Sequence, residues 1–208
     1  MEGTQGNEGT IFTPALEKME HIKSENGEML TEPFLEVCKL ILPVIDKFGA
    51  AMAIVKTDIG GNIKRLEENF KKDPKKYAAL HSIVKEEVEA KTATGSSSCT
   101  NGLLWLTRAM DFLVKLFRNL LDHAEWTMTE ACQNSYSETL KKFHGWFASS
   151  AFTVAMKLAP ERKKFMEVIG GTAAVNNIDI ENFCKTFSPF LEENHTFLKS
   201  VKMNELKA

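Results

Sequence analysis

Apolar side chains recur at three- and four-residue intervals along nearly the whole chain from Pro14 onward. This period is typical of amphipathic α-helices, and no segment shows the alternation expected of a half-buried strand. We find no internal repeat either. The pattern therefore predicts an all-α protein. The predicted helices, in chain order, cover 34–48, 50–71, 74–91, 99–122, 129–159, 160–169 and 178–200.

Helix-breaking and helix-starting residues refine this prediction at five places. Pro43 should kink or restart the first helix. The pair Gly60–Gly61 costs the second helix about 1 kcal/mol per glycine relative to alanine. Asp73–Pro74 places proline at the first position of the next helix. The segment Thr94–Ser98 is predicted to be a loop, and Thr127–Glu130 offers a helix start.

The predicted helix 99–122 is apolar over more than half of its circumference. A helix of this kind either lies at the centre of a bundle or surrounds something apolar.

The 208 residues allow one domain or two, and a chain of this size buries enough surface to need no disulfide or metal. Residues 1–10 are rich in Gly, Glu, Asn and Thr, and we expect them to form a disordered arm. The remaining residues, 11–208, are then expected to form a single domain.

Charge and targeting signals limit the possible environments and partners. The chain has 26 Lys and Arg against 28 Asp and Glu, a net charge of −2, which lacks the basic footprint of a nucleic-acid binder. No apolar run is long enough to span a membrane. The N-terminus has neither the basic start nor the apolar core of a secretory signal. Four cysteines without a CxxC pair fit reduced thiols, so we expect a cytosolic (cytoplasmic) protein.

Enzyme signatures are missing from the sequence. It contains no P-loop, GxGxxG, GxSxG or HExxH motif. His21 has Glu17 and Glu25 at helical spacing, but one imidazole with two carboxylates in a polar segment is more typical of a solvated face than of a metal site. We therefore expect no enzyme activity, no metal and no cofactor.

Three polar residues share one face of the second predicted helix. Asp58, Asn62 and Arg65 follow i, i+4, i+7 spacing and combine an acceptor, an amide and a forked donor. This mixture suits a ligand rich in hydroxyl groups, although a solvated face with an internal ion pair has the same pattern. The adjacent pair Gly60–Gly61 favours the ligand, because two glycines inside a helix suggest a close approach to the backbone.

An indole and an imidazole complete the candidate chemistry. Trp105 lies on the most apolar helix with Arg108 and Phe112 on the same side. Its flat face could support the apolar face of a sugar ring, although tryptophan on such a helix is usually part of the core. His144 falls within the predicted helix 129–159, where a lone histidine is more often a core residue than a ligand contact.

Three segments together resemble the glycolipid transfer proteins, and plant members in particular. They are Val55–Ile63, Leu104–Arg108 and Lys141–Trp146, in the order and at the separations found in that family. The resemblance covers 30–206. It implies a two-layer helical sandwich of about eight helices enclosing an apolar lipid pocket, and an intermembrane carrier of one glycosylceramide, such as glucosylceramide. It also implies a monomer that contacts membranes only transiently.

The resemblance assigns roles to the polar residues. The positions of Asp58 and His144 hold the ceramide amide and its carbonyl. The positions of Asn62 and Arg65 bind the first sugar, which stacks on the indole that matches Trp105.

Two departures bear on headgroup choice. Arg65 stands where animal members have lysine, and Asn101 stands where they have an apolar residue, so we count Asn101 with the headgroup site. Ceramide-1-phosphate carriers place a cationic residue at the position of Trp105, which favours a glycolipid here. A ceramide-1-phosphate carrier or a lipid sensor of the same fold remains the alternative.

The chain is rich in phenylalanine, with 14 Phe against two Tyr, and this fits either a lipid pocket or an ordinary core. For membrane contact the resemblance points to Trp146, with Phe147 and Lys142 beside it. The residues expected to line the lipid pocket are Phe34, Phe48, Phe112, Leu116, Phe152, Phe165 and Phe190.

Overall fold

A computed structural model describes residues 9–170 and 173–207, and within them every regular element is helical. The side chains of residues 50, 51, 146, 147, 173 and 174 lie outside this description. The helices are α1 (Thr13–Met19), α2 (Thr31–Asp46), α3 (Ala53–Phe70), α4 (Leu80–Glu89), α5 (Cys99–Asp122), α6 (Met128–Glu138), α7 (Trp146–Met156), α8 (Arg162–Val168) and α9 (Ala173–Ser200), with short 3-10 turns at Gly49–Met52 and Lys141–Phe143. The predicted all-α class is confirmed.

Helix α5 is the centre of the fold and packs against α3, α4, α6 and α9. Its bounds are those expected from the sequence. It begins at Cys99 because the Ser98 side chain accepts a hydrogen bond from the backbone amide of Asn101, which caps the helix. Helix α9 also packs on α1, and α1 on α2, so these helices enclose a common interior with α3.

Phenylalanine rings fill that interior. Phe12 lies edge-on to Phe117, with 5.2 Å between ring centroids, and 5.4 Å from Phe183. Phe34 stacks on Phe187 at 6.0 Å. All five rings are fully buried, which links α2, α5 and α9 to the segment before α1.

The long helix predicted over 129–159 is wrong, because the chain breaks between α6 and α7. The start is as expected: Thr127 and Glu130 form a reciprocal capping box at the head of α6. After α6 the chain makes a 3-10 turn, and His144 is extended at φ −86° and ψ 134°. Gly145 then caps α7, so His144 lies in a connection and not inside a helix.

Pro43 does not restart the helix, and the helix start expected at Pro74 is wrong. Helix α2 runs unbroken through Pro43, because fully buried neighbours such as Ile41 and Ile45 offset the lost hydrogen bond. Pro74 does not begin a helix, and α4 starts only at Leu80. The Leu80 amide donates to the Met29 carbonyl at 2.8 Å, so backbone groups before α4 bond to another segment.

The two ends of the chain differ from the sequence prediction as well. Residues 1–8 of the expected arm lie outside the described residues, whereas Thr10 is buried and donates to the Asp179 carboxylate at 2.5 Å. Thr10, at the end of the expected arm, is therefore bonded to α9. Helix α9 starts at Ala173 instead of residue 178. Among the described helices, none combines the length and the apolar character that crossing a membrane requires.

Candidate functional site

A cavity of about 550 Å³ opens between α3, α5 and α7, and the loop before α5 forms part of its rim. One end is polar and the opposite wall is apolar. Trp105 lies on α5 between the two parts. The polar side chains that border the cavity are Asp58, Asn62, Arg65, Ser96, Asn101 and His144. The structure thus brings together all six residues that the sequence suggested for a headgroup, and it adds Ser96.

The three polar residues of α3 are connected to each other or to the rim. Asn62 Nδ2 donates to Asp58 Oδ2 at 3.3 Å, and Asn62 is buried. Arg65 Nη1 donates to the carbonyl oxygens of Ser96 and Ser98 at 3.2 and 3.1 Å. The face is therefore not a simple solvated ion pair, because the guanidinium is held by backbone carbonyls on a different segment.

Asp58 faces the cavity with oxygen atoms left to accept further hydrogen bonds. Burial raises the pKa of its carboxyl, while the charge of Arg65 and the hydrogen bond from Asn62 act to lower it. Asp58 is exposed to solvent within the cavity. A donor that entered the cavity would meet a charged acceptor, to which hydrogen bonds are stronger than to a neutral one.

His144 stacks on Trp105 with 5.6 Å between centroids and 26° between the ring planes. Its Nδ1 lies 3.1 Å from the hydroxyl of Tyr136, and Tyr136 in turn stacks on Phe152 at 4.5 Å. Burial, helped by the charge of Arg108, lowers the pKa of His144. The imidazole is therefore neutral at pH 7. The Tyr136 hydroxyl also lies 3.1 Å from Ser149 Oγ, to which it donates. In the tautomer in which Nδ1 accepts from Tyr136 instead, Nε2 carries the proton and can donate to a ligand.

Arg108 supports the other side of this aromatic group. Its guanidinium carbon lies 4.9 Å from the Trp105 ring centroid and 3.4 Å from that of Phe143. The guanidinium donates to the carbonyls of Leu206 at 2.7 Å and Asn204 at 2.6 Å. Burial lowers the pKa of Arg108 to about 10, so it stays charged at pH 7. It holds the C-terminal segment behind the indole and is turned away from the cavity.

Two glycine positions differ in how closely other residues approach them. No described protein atom lies within 4 Å of a Cβ at Gly60 or Gly61, so the pair faces open space and its expected contact with a ligand stays a prediction. Gly102 was overlooked: a Cβ there would lie 3.2 Å from Cδ of Arg65. A glycine on α5 opposite an arginine on α3 was the available signal.

The apolar wall of the cavity includes a face of small residues that sequence reasoning missed. Ala148, Ala151 and Ala155 lie on α7 at i, i+3 and i+7, and all three border the cavity. Phe152 borders it as well. The alanine spacing was the signal that could have identified this wall.

The other expected pocket residues lie in the protein interior. Phe48 packs on Phe165 at 4.4 Å, and Phe112 lies edge-on to Phe152 at 5.5 Å. Leu116 is fully buried, Phe34 stacks on Phe187, and Phe190 is partly buried against Phe187. Phe152 is thus the member of the predicted set that borders the cavity directly.

The expected membrane-contact residues can be placed only in part. Lys142 is exposed, with Nζ 4.8 Å from the Phe143 ring centroid. Trp146 and Phe147 begin α7, but their side chains lie outside the described residues. Five large apolar side chains are exposed among the described residues, and the most exposed are Ile54 at 66%, Leu158 at 65% and Val154 at 62%. Ile54 also borders the cavity.

The described residues give little support for a reactive thiol or a metal site. The four cysteines are free and buried. Burial raises the pKa of Cys99 to about 11 and that of Cys132 and Cys184 to about 12, which keeps these thiols protonated. Among the described residues, no three His, Cys, Asp or Glu side chains converge as metal ligands would.

Comparison with known proteins gives a consistent result. The family model described as "Glycolipid transfer protein (GLTP)" matches residues 29–171. Glycolipid transfer protein 1 of Arabidopsis thaliana is 64% identical over 201 residues, which cover 97% of this chain and 99% of that protein.

Solved structures give the same picture for the fold. A structure described as showing how FAPP2 selects simple glycosphingolipids using the GLTP-fold superposes with a TM-score of 0.85 at 28% identity, covering 96% of this chain and 100% of the other. Human ceramide-1-phosphate transfer protein, in complex with its 12:0 lipid, also gives a TM-score of 0.85. Its identity is 17%, with 95% and 99% of the two chains covered, so it supports the fold alone.

Proposed function

The chain belongs to the glycolipid transfer protein family, and we propose that it carries one glycosylceramide, such as glucosylceramide, between membranes. This family consists of lipid transfer proteins and not of enzymes. The observation that carries the proposal is the cavity that places Asp58, Asn62 and Arg65 beside the Trp105 indole, with an apolar wall opposite.

The polar end suits the headgroup and the amide region of such a lipid. Asp58 accepts from the ceramide amide, and His144 Nε2 donates to its carbonyl. Asn62 and Arg65 bond the hydroxyls of the sugar, whose apolar face lies on Trp105. Glycerolipids have no such amide, so Asp58 distinguishes the two lipid classes.

Two further rim residues belong to this proposed headgroup site. Asn101 and Ser96 border the cavity on the same side as Arg65. Both offer polar groups to sugar hydroxyls that extend beyond Trp105. We expect them to influence which sugars fit.

The apolar wall suits the hydrocarbon chains. Keeping roughly 30 methylenes out of water is worth on the order of 24 kcal/mol, at about 0.8 kcal/mol each. The chains enter beside Phe152 along the alanine face of α7 and continue among the interior residues. That set comprises Phe34, Phe48, Phe112, Leu116, Phe165 and Phe190.

Membrane contact belongs to the side of the molecule where the cavity opens. Trp146, Phe147 and Lys142 remain the proposed contacts, and the exposed Ile54 and Val154 extend the apolar surface. The net charge of −2 fits reversible docking, since a strongly basic face would hold the protein on anionic lipid. We further propose a monomeric, cytosolic carrier in which residues 11–208 form one domain.

Vesicle-to-vesicle transfer tests the proposal with Asp58→Val. Transfer of glucosylceramide should fall about 10- to 100-fold, because a hydrogen bond to a charged acceptor contributes about 1.5–3 kcal/mol. Asp122→Val is the matched control, since Asp122 is exposed at the last residue of α5, away from the cavity. It should transfer normally.

The lipid panel of the same assay separates the alternatives. Wild-type-like transfer by Asp58→Val contradicts the site. If the unaltered protein transfers ceramide-1-phosphate faster than glucosylceramide, the proposed ligand is wrong and the protein carries a phosphorylated lipid. Tight lipid binding without transfer identifies a sensor.

A further inference from the structure

The carboxylate of Glu87, outside the cavity, is fully engaged at the start of α5. Its Oε1 accepts from the Cys99 amide at 2.8 Å, and its Oε2 accepts from the amide and the hydroxyl of Thr100, both at 2.7 Å. These amides belong to the first turn of α5, and backbone amides in a first turn have no acceptor within their own helix. A negative charge at this end is also favoured by the helix dipole.

The same residue holds the other end of the loop that precedes α5. The backbone carbonyl of Glu87 accepts from the amides of Thr92 and Ala93 at 2.8 and 3.2 Å. At the far end of the loop, the Ser98 hydroxyl donates to the Ala93 carbonyl at 2.7 Å. The loop therefore closes on Glu87 from both sides.

This loop is the segment that holds Arg65. Two of its carbonyls, from Ser96 and Ser98, accept from Arg65 Nη1. The thiol of Cys99, whose amide bonds to Glu87, lies 3.8 Å from the Arg65 carbonyl oxygen. Because the Arg65 side chain also passes close to Gly102, its path to the cavity rim is fixed on both sides.

We propose that Glu87 is a positioning residue for headgroup recognition, which acts by holding the 92–98 loop and thereby Arg65 at the cavity rim. The proposal rests on the glycolipid function proposed above and adds a residue to it. Glu87 does not border the cavity, so any effect it has on the sugar passes through the loop. Ser96, which lies on the rim, moves with the same loop.

The test compares two lipids that differ only in the sugar. Transfer rates of glucosylceramide and ceramide with identical chains are measured between vesicles for Glu87→Ala and the unaltered protein. We expect the ratio of glucosylceramide to ceramide transfer to fall about tenfold, the effect of losing one hydrogen bond to a charged group. Ceramide transfer itself should change less, since no hydrogen bond joins Asp58 or His144 to the loop and only the charge of Arg65 links Asp58 to it.

Glu86→Ala is the matched control on the same helix. Glu86 accepts from the Tyr77 hydroxyl at 2.7 Å and pairs with Lys76 at 2.8 Å, and it does not contact the loop. We expect it to alter the melting temperature without altering the lipid ratio. An equal change of the ratio in both variants would mean that general loosening of α4 is responsible and would overturn the proposal.

A double variant shows whether Glu87 acts through Arg65. When Arg65→Ala already removes the guanidinium, adding Glu87→Ala should change the lipid ratio no further. Independent, multiplying effects would overturn the proposal, as would a Glu87→Ala ratio equal to that of the unaltered protein. If Glu87→Ala does not fold, Glu87→Gln, which keeps one acceptor oxygen, is measured in its place with the same criteria. Failure of the unaltered protein to transfer glucosylceramide would instead refute the proposed function.

Discussion

The buried guanidinium of Arg108 gives the sharpest prediction for the scaffold behind the site. Arg108→Met keeps much of the side-chain length but removes the donors to Asn204 and Leu206 and the stacking on Trp105 and Phe143. Two hydrogen bonds from a charged donor contribute about 1.5–3 kcal/mol each, and the ring contacts add about 1 kcal/mol. The desolvation penalty of the buried charge disappears in the variant and offsets part of this loss. We therefore expect a net decrease of about 3 kcal/mol in the free energy of unfolding.

Calorimetry and amide hydrogen exchange measure the two consequences. A loss of that size lowers the melting temperature by about 6–12 °C for a chain of this length. Residues 201–207 should also lose protection, including the Met203 amide, which donates to the Leu198 carbonyl at 2.8 Å. Arg118→Met, on the same helix and only half-buried, is the matched control. A melting temperature within about 2 °C of the unaltered protein, or unchanged exchange at the C-terminal segment, would refute the reasoning.

The remaining predictions concern the position of Arg65 at the cavity rim and the pH dependence of stability. Gly102→Ala should displace Arg65 and lower glucosylceramide transfer several-fold while leaving unfolding within about 1 kcal/mol, since alanine favours the helix by a similar amount; a stable variant with normal transfer contradicts this. Burial is the largest influence on the pKa of His195 and lowers it, but Asp111, whose Oδ2 lies 2.5 Å from Nε2, and Asn204 together raise it more, so the net shift is upward. The charged His195 therefore stabilises the folded state. This stabilisation is complete below the unfolded pKa of about 6.5 and is lost as pH rises through the higher folded pKa. Relative to His195→Gln, the unaltered protein should therefore lose melting temperature above pH 6.5, and parallel profiles would contradict the assignment.

Local signals in the sequence were sufficient for some elements and not for others. The bounds of α5 were predictable because a serine cap precedes a continuous apolar face. The break between α6 and α7 was not, because apolar spacing continues through residues 139–145 while the backbone turns. Its signal was Gly145, which caps α7.

Some residues of the candidate site could likewise be predicted from the sequence, and some of its contacts could not. Asp58, Asn62 and Arg65 could be grouped from helical spacing alone, and all three border one cavity. The carbonyls that hold Arg65 could not be predicted, because they belong to a loop about 30 residues further along the chain. Trp105 and His144 were assigned to the same site from the resemblance to a family and not from periodicity.

For the lipid carrier proposed above, the alanine face of α7 has a consequence for how different tails would be accommodated. Alanine has no rotatable side-chain carbon, so the width of the cavity along Ala148, Ala151 and Ala155 depends on the position of the backbone. A bulkier or kinked tail cannot be admitted there by a change of rotamer. On this wall, room for such a tail comes from a shift of α7, whereas Ile54, Trp105 and Phe152, which also border the cavity, can change rotamer.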